Sequence, residues 1–214
     1  METGNRFGDV EISDPKVMRA LAHPVRLAIL ERLRRYGPAT ATRLSPYVGA
    51  TPSVTSWHLR HLAGFGLIRD AEGGTDGRER RWEAVGRGFR FVIATDPADE
   101  EGQAASRALT GEMFARAAEV PLRWLTETAP ALEPEWIHAL GTADTRIVVS
   151  ADELAALRDA LEETVARYIN RGPAERPAGS RGVRLLLYAL PETAESAETA
   201  ETAEADDAEP EQET

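Results

Sequence analysis

The chain contains no cysteine. Disulfides, thiolate-ligated zinc and thiol-based sensing are therefore excluded, and the composition suits a reducing compartment. Histidine is scarce: four residues, scattered along 214, make no metal-ligand cluster. No apolar run approaches the roughly 20 residues that span a bilayer. The start, Met1-Glu-Thr-Gly-Asn-Arg6, lacks the apolar centre of a signal peptide. A soluble cytoplasmic protein with no membrane partner is expected. Catalytic patterns are missing too. The glycines of 73–77 follow no phosphate-binding motif, no serine stands in a nucleophile elbow, and Glu162-Glu163 falls on a charged helix face. Neither an enzyme nor a cofactor is expected.

Positive charge is also short, but unevenly so. The net charge is -11, yet residues 1–95 carry 15 basic against 10 acidic side chains, a net +5, nearly all of it arginine. Residues 96–190 carry -6 and residues 191–214 carry -10. A polyanion in contact feels the local field, screened beyond about 8 Å at physiological salt, so the first segment decides what can bind there.

In that segment, residues 1–13 are polar and read as a loose N-terminus. Asp14-Pro15 is a helix start, with an acceptor at the N-cap and proline where its missing N–H costs nothing. This helix runs to about Ala22. Pro24 restarts it, and Val25, Leu27, Ala28, Ile29, Leu30 and Leu33 form a broad apolar stripe that Gly37-Pro38 ends. Thr40 caps a next helix, anchored by Leu44 and Val48 and closed by Gly49. Pro46 predicts that it is short or irregular. From about Pro52 to Gly64 a further helix puts Ser53, Ser56, Trp57, Arg60 and Gly64 on one face and Thr55, Leu59 and Leu62 on the other. Residues 67–70 and 80–85 then read as two strands joined by the turn-rich 73–77. Helix, turn, helix and basic hairpin are the parts of a device that lays one helix across a phosphate backbone, another in the major groove, and arginines on flanking phosphates.

Ala20-Leu-Ala-His-Pro-Val-Arg-Leu-Ala-Ile-Leu30, Thr51-Pro-Ser-Val-Thr-Ser-Trp-His-Leu-Arg-His-Leu62, Gly66-Leu-Ile68 and the Arg/Trp hairpin together resemble the winged helix-turn-helix domain of ArsR-like repressors. The closer likeness is to their metal-independent, actinobacterial-type branch, over about residues 15–92. The resemblance implies that the 51–63 helix enters the groove, placing Thr51, Pro52, Ser53, Ser56, Trp57 and Arg60 near double-stranded DNA. Pro52 departs from the glutamine frequent there. Arg60 can fork onto guanine or clamp a phosphate, and the short Ser53 and Ser56 permit close approach. For Trp57, groove contact and packing on the domain flank both stay open. Arg78, Arg80 and Arg81 around the wing are expected to contact backbone, with Arg87 and Arg90 as weaker candidates and Trp82 packed beneath. His58 reads as a half-buried, hydrogen-bonded histidine and His23 as a structural turn residue.

Beyond an acidic, loop-like boundary at 96–103, an alanine-rich helix spans about 104–119, and Pro121 should kink or divide it. Arg146-Ile-Val-Val149 and Val183–Leu190 are strand candidates that would pair. Ser150 with Glu153 forms a capping-box pattern opening a helix to about Asn170, striped by Leu154, Leu157, Leu161, Val165 and Tyr168. Residues 172–182 read as a linker. The repeat of Thr/Ser-Ala-Glu within the acidic 191–214 should be disordered. The fold expected is mainly α with short β: a winged helix-turn-helix domain at 14–95, followed by a mostly helical α+β domain at 96–190 for dimerisation or a small-molecule effector. The function expected is a homodimeric regulator, on DNA in the nucleoid, repressing from a pseudo-palindromic operator. Two other readings stay open: an interaction module that no longer reads DNA, and an enzyme hidden in 104–190.

Overall fold

The computed structural model describes residues 7–71 and 80–193. The Asp14 carboxylate accepts the Lys16 N–H at 2.8 Å and Pro15 takes the first helical position, opening α1 (Pro15–Leu21). His23 opens α2 (Pro24–Tyr36) in the same way, its Nδ1 accepting the Val25 N–H at 3.2 Å. After the short strand β2 (Ala39–Thr40), the Thr40 hydroxyl accepts the Arg43 N–H at 3.3 Å and caps α3 (Ala41–Val48). Gly49, at φ 65°, closes it in the left-handed conformation that glycine enters without penalty.

As expected from Pro46, α3 is short, at 8 residues, but it is not irregular. Its missing N–H would have bonded the Thr42 carbonyl, and the Ser45 hydroxyl donates to that carbonyl instead, at 3.1 Å. One side chain thus repairs the hydrogen bond that proline removes.

The next helix, α4 (Pro52–Gly64), is capped by Thr51, whose hydroxyl accepts the Val54 N–H at 3.4 Å. Strands β3 (Ile68–Asp70) and β4 (Arg81–Ala84) pair antiparallel, with Arg69 opposite Glu83 and Asp70 opposite Trp82. β2 joins on the other edge of β4, giving the order β2-β4-β3. Trp82 is buried under this sheet.

Residues read as a loose N-terminus are partly ordered. Val10–Ile12 form β1, parallel to β5 (Phe89–Phe91), with Val10 opposite Phe89 and Ile12 opposite Phe91. Burial of Ile12 against the core fixes this short ladder. Gly86, at φ 72°, makes the approach possible: a Cβ there would lie 2.9 Å from Val10 Cγ2.

One core joins these elements. Leu21, Ile29, Leu30, Leu44, Leu59, Leu62, Leu67 and Ile68 are all buried in it, and so are Ala105 and Leu109. Those last two lie on α5 (Glu100–Arg123), so the expected boundary at 96–103 is crossed by packing. The first half of the acidic run is a loop, as read, while the second half, from Glu100, is already helix. Asp99 accepts the Gly102 N–H at 2.8 Å, and Glu100 and Glu101 stand in the first turn, where the helix dipole favours negative charge. Arg116 forks onto Glu31 of α2 at 3.0 and 2.5 Å, and Arg19 of α1 pairs with Glu101. Nor does Pro121 divide the helix, which continues to Arg123 and passes into a π-helical turn over Trp124–Thr128.

Farther along, α6 (Pro134–His138) is short, and α7 (Ala151–Ile169) begins with the expected capping box: Glu153 accepts the Ser150 N–H at 2.8 Å while the Ser150 hydroxyl accepts the Glu153 N–H at 3.2 Å. The strand expected at 146–149 is absent, and Ile147, Val148 and Val149 are exposed in irregular chain. The chain separates into residues 1–176 and 177–214. In the second unit residues 177–193 contain no helix or strand, so the strand expected at 183–190 does not form either. Neither segment has a ladder partner among the described residues, and without one a short apolar run has no strand to join. The wing tip at 72–79, with Arg78, and the repeat from residue 194 onward lie outside the described residues.

Candidate nucleic-acid interface

The helical spacing of α4 divides it as its sequence requires. Thr55, His58, Leu59 and Leu62 are buried, while Ser53, Trp57 and Arg60 are exposed and Ser56 is partly open. Thr51 and Pro52, both exposed, form the N-terminal end of the same helix. Pro52 occupies the first helical position, where it has no hydrogen bond to lose. The face free of the core is therefore the one the sequence marks out.

Arg60 lies back along its helix and donates from Nη1 to the Ser56 hydroxyl at 3.1 Å. Both line a cleft of about 220 Å³ with Thr40, Thr42, Arg80 and Trp82. Helix α4 and the wing strand thus meet in one recess carrying two arginines. Arg80 is not idle there: its Nε and Nη2 donate to the two Asp70 oxygens, the second at 2.6 Å, and its guanidinium lies 4.2 Å from the Trp82 ring centre. That pair holds the Asp70 carboxyl below its ordinary range and raises Arg80.

Arg81 points elsewhere. Strand alternation sends it to the opposite face from Arg80, where it donates to the Pro38 carbonyl at 3.2 Å. There it lines a second cleft of about 410 Å³ with Arg32, Tyr36, Arg43 and Tyr47. The sequence reading missed this group. The residues are separated along the chain, and the signal available beforehand was only an aromatic four residues after Arg32 and another four after Arg43.

Arg87 and Arg90 are committed within the chain. Arg87 Nη1 donates to the Ile169 carbonyl at 2.7 Å and to Asn170 Oδ1 at 2.8 Å, capping the end of α7. Arg90 lies 3.5 Å from Glu162 of α7 and 3.8 Å from Asp9.

Trp57 packs on the domain flank and still leaves a broad surface open. Its ring stacks on His61 with centres 5.4 Å apart, meets His58 edge-on at 4.9 Å, and still exposes half its surface. Behind it, His58 is fully packed rather than half-buried and hydrogen-bonded. Its ring is 4.7 Å from that of His23, and its Nδ1 has no partner among the described residues. Burial, then His23 and Arg26, push the His58 pKa down. Burial followed by Arg26 does the same to His23 and His61. The charged form of all three rings is thereby disfavoured.

A comparison with protein families matches residues 21–71 to a helix-turn-helix domain. Residues 21–71 are a helix-turn-helix domain. With β3 and β4 behind it, this domain has a winged form, and the function class it supports is a DNA-binding transcriptional regulator. No curated protein gives a significant match to the sequence. Among solved structures, NMB1585, a MarR family regulator from Neisseria meningitidis, is 21% identical over 67% of this chain and 79% of its own, with a TM-score of 0.29. A transcriptional regulator homologue from Pyrococcus horikoshii OT3 is 21% identical over 49% of this chain and 94% of its own, also at 0.29. YusO from Bacillus subtilis is 16% identical over 68% and 85%, again at 0.29. TM-scores this low assign the helix-turn-helix domain to no subfamily.

Proposed function

We propose that this protein is a homodimeric transcriptional repressor that reads a pseudo-palindromic operator with α4 in the major groove and the wing on flanking backbone. The observation that carries the reading is the outward face of α4. Ser53, Ser56, Trp57 and Arg60 are free of the core on a helix held rigidly behind by Leu59, Leu62 and His58. Arg60 supplies the donor fork that matches guanine, and the serines keep the helix surface low enough for close approach. Thr51 and Pro52 set the end of that helix, and Arg80 and Arg81 act on backbone. Arg78 is assigned the same role from sequence alone.

Dimerisation is the companion proposal. Helix α7 buries no residue, and Leu157, Leu161 and Tyr168 lie open along one stripe. A second copy covering that stripe would present two α4 helices to half-sites about one helical turn, ~34 Å, apart. The His-Pro-x-Arg opening and the α4 motif support an ArsR-like lineage. A metal-independent mode fits the work His23 and His58 already do, one capping α2 and the other packed in the core.

Selection from a random duplex library with the full chain tests the reading. The expected outcome is enrichment of an inverted repeat with half-site centres about 10 base pairs apart. Recovery of no motif, with equal retention of all duplexes, would favour an interaction module instead.

A further inference from the structure

The cleft between the end of α2 and α3 holds three arginines and no carboxylate among its described lining residues. Arg32 is sandwiched there, its guanidinium 3.8 Å from the Tyr36 ring centre and 3.6 Å from that of Tyr47. Cation–π contact uses the flat faces of the guanidinium and leaves its N–H edge free to donate. The two rings hold that edge in a fixed direction, so less side-chain entropy is lost when an anion arrives. Arg43 is exposed, and among the described residues its guanidinium takes part in no ion pair or hydrogen bond. Arg81 is anchored to the Pro38 carbonyl through one nitrogen, with its other donors unused among the described residues. Three like charges brought together without a counter-charge repel one another, and an anion seated among them removes that cost.

We propose that this cleft clamps a phosphate of the DNA backbone outside the segment read by α4, a contact that widens the footprint without reading bases. The inference rests on the DNA-binding reading above. Its placement follows from β4. Arg80 faces the cleft that contains Ser56 and Arg60, and Arg81 faces this one, so the two clefts flank α3. A helix with its side chains is about 10 Å across, comparable with the ~12 Å width of the major groove. With α4 in the groove, the Arg32–Arg43–Arg81 cleft falls on the neighbouring backbone. Guanidinium forks matched to phosphate oxygens, with tyrosine hydroxyls as further donors, are the chemistry such a clamp needs.

Binding of the full chain to a fluorescein-labelled duplex, carrying the sequence recovered by selection, tests the clamp over a salt series. Arg43→Gln and Arg32→Gln are compared with the unaltered chain, on a duplex cut at the edge of the recognised bases and on one extended by a further turn. On the extended duplex each variant should bind roughly tenfold more weakly, with the slope of log affinity against log salt reduced by about 1 and the base preference unchanged. On the trimmed duplex the variants and the unaltered chain should bind alike. Unchanged affinity and slope in both variants, alongside loss of binding in Arg60→Ala, would overturn the clamp while leaving the regulator reading intact. Failure of the unaltered chain to bind any duplex would overturn both. Titration with inorganic phosphate, followed by tyrosine emission, separates the sources. Tight binding of free phosphate that displaces DNA would mark a small-anion site and overturn the backbone assignment.

Discussion

Asp70, at the end of β3, and Arg80, immediately before β4, are paired, with the guanidinium forked onto both carboxylate oxygens. The carboxylate occupies guanidinium donors, so if Arg80 contacts the DNA backbone as proposed, this ion pair competes with binding. Asp70→Asn should release Arg80, raise duplex affinity by several-fold and steepen its salt dependence by about one counterion. Equilibrium binding at two salt concentrations checks it; weaker binding would mean that Asp70 positions Arg80 for the backbone instead of withholding it.

The histidine cluster makes stability depend on pH in a definite direction. His23, His58 and His61 all have folded-state pKa values below the ordinary 6.5, with burial as the leading cause. The unfolded chain therefore binds more protons at these rings near and below pH 6.5, so their contribution to stability falls as pH drops through that window and is level above it. Denaturant midpoints measured from pH 8 to 5.5 should show the loss. His58→Gln, which cannot take up a proton, should flatten the acid limb at some cost in overall stability.

Leu109 tests how far the core reaches. It is fully buried, though it lies beyond the acidic stretch that looks like a domain boundary. Leu109→Ala should cost about 2–5 kcal/mol in a single cooperative transition that includes α4. Two separate transitions, with the tryptophan signal of Trp57 and Trp82 unaffected by the substitution, would show that α5 folds apart from the winged domain.

Helix α7 is the surface on which the dimer proposal depends. Leu157→Glu with Leu161→Glu would place charge in the middle of its open apolar stripe. Sedimentation should show a shift from dimer to monomer with little loss of helix content, because neither side chain is buried within the chain. A dimer that survives both substitutions would move the interface elsewhere.

The winged half was legible because its signals are local and agree with one another. Asp14-Pro15 and Thr40, and outside the winged half Ser150 with Glu153, announce helix starts by a side chain that reaches its own backbone two or three residues on. The face of α4 followed from spacing alone. What the sequence concealed depends on distant partners. Val10–Ile12 becomes a strand only because Phe89–Phe91 lies beside it. Pro46 is tolerated because Ser45 reaches back to Thr42. The commitment of Arg80 to Asp70 and the gathering of Arg32, Arg43 and Arg81 require the fold to bring remote residues together. The apolar runs at 146–149 and 183–190 misled in the opposite sense, since hydrophobic composition without a pairing partner makes no strand.

If the exposed face of α4 reads DNA sequence, as proposed, Arg60 is the residue whose loss should show it. Arg60 is exposed and bonded only to Ser56 among the described residues, so Arg60→Ala should leave the fold intact. Binding of the purified chain and this variant to duplexes from its own promoter region, at two salt concentrations, decides the matter. Tight, sequence-selective binding is expected, lost by the variant by a factor of ten or more, about 1–3 kcal/mol. Binding that is absent, or indifferent both to sequence and to Arg60→Ala, would contradict it.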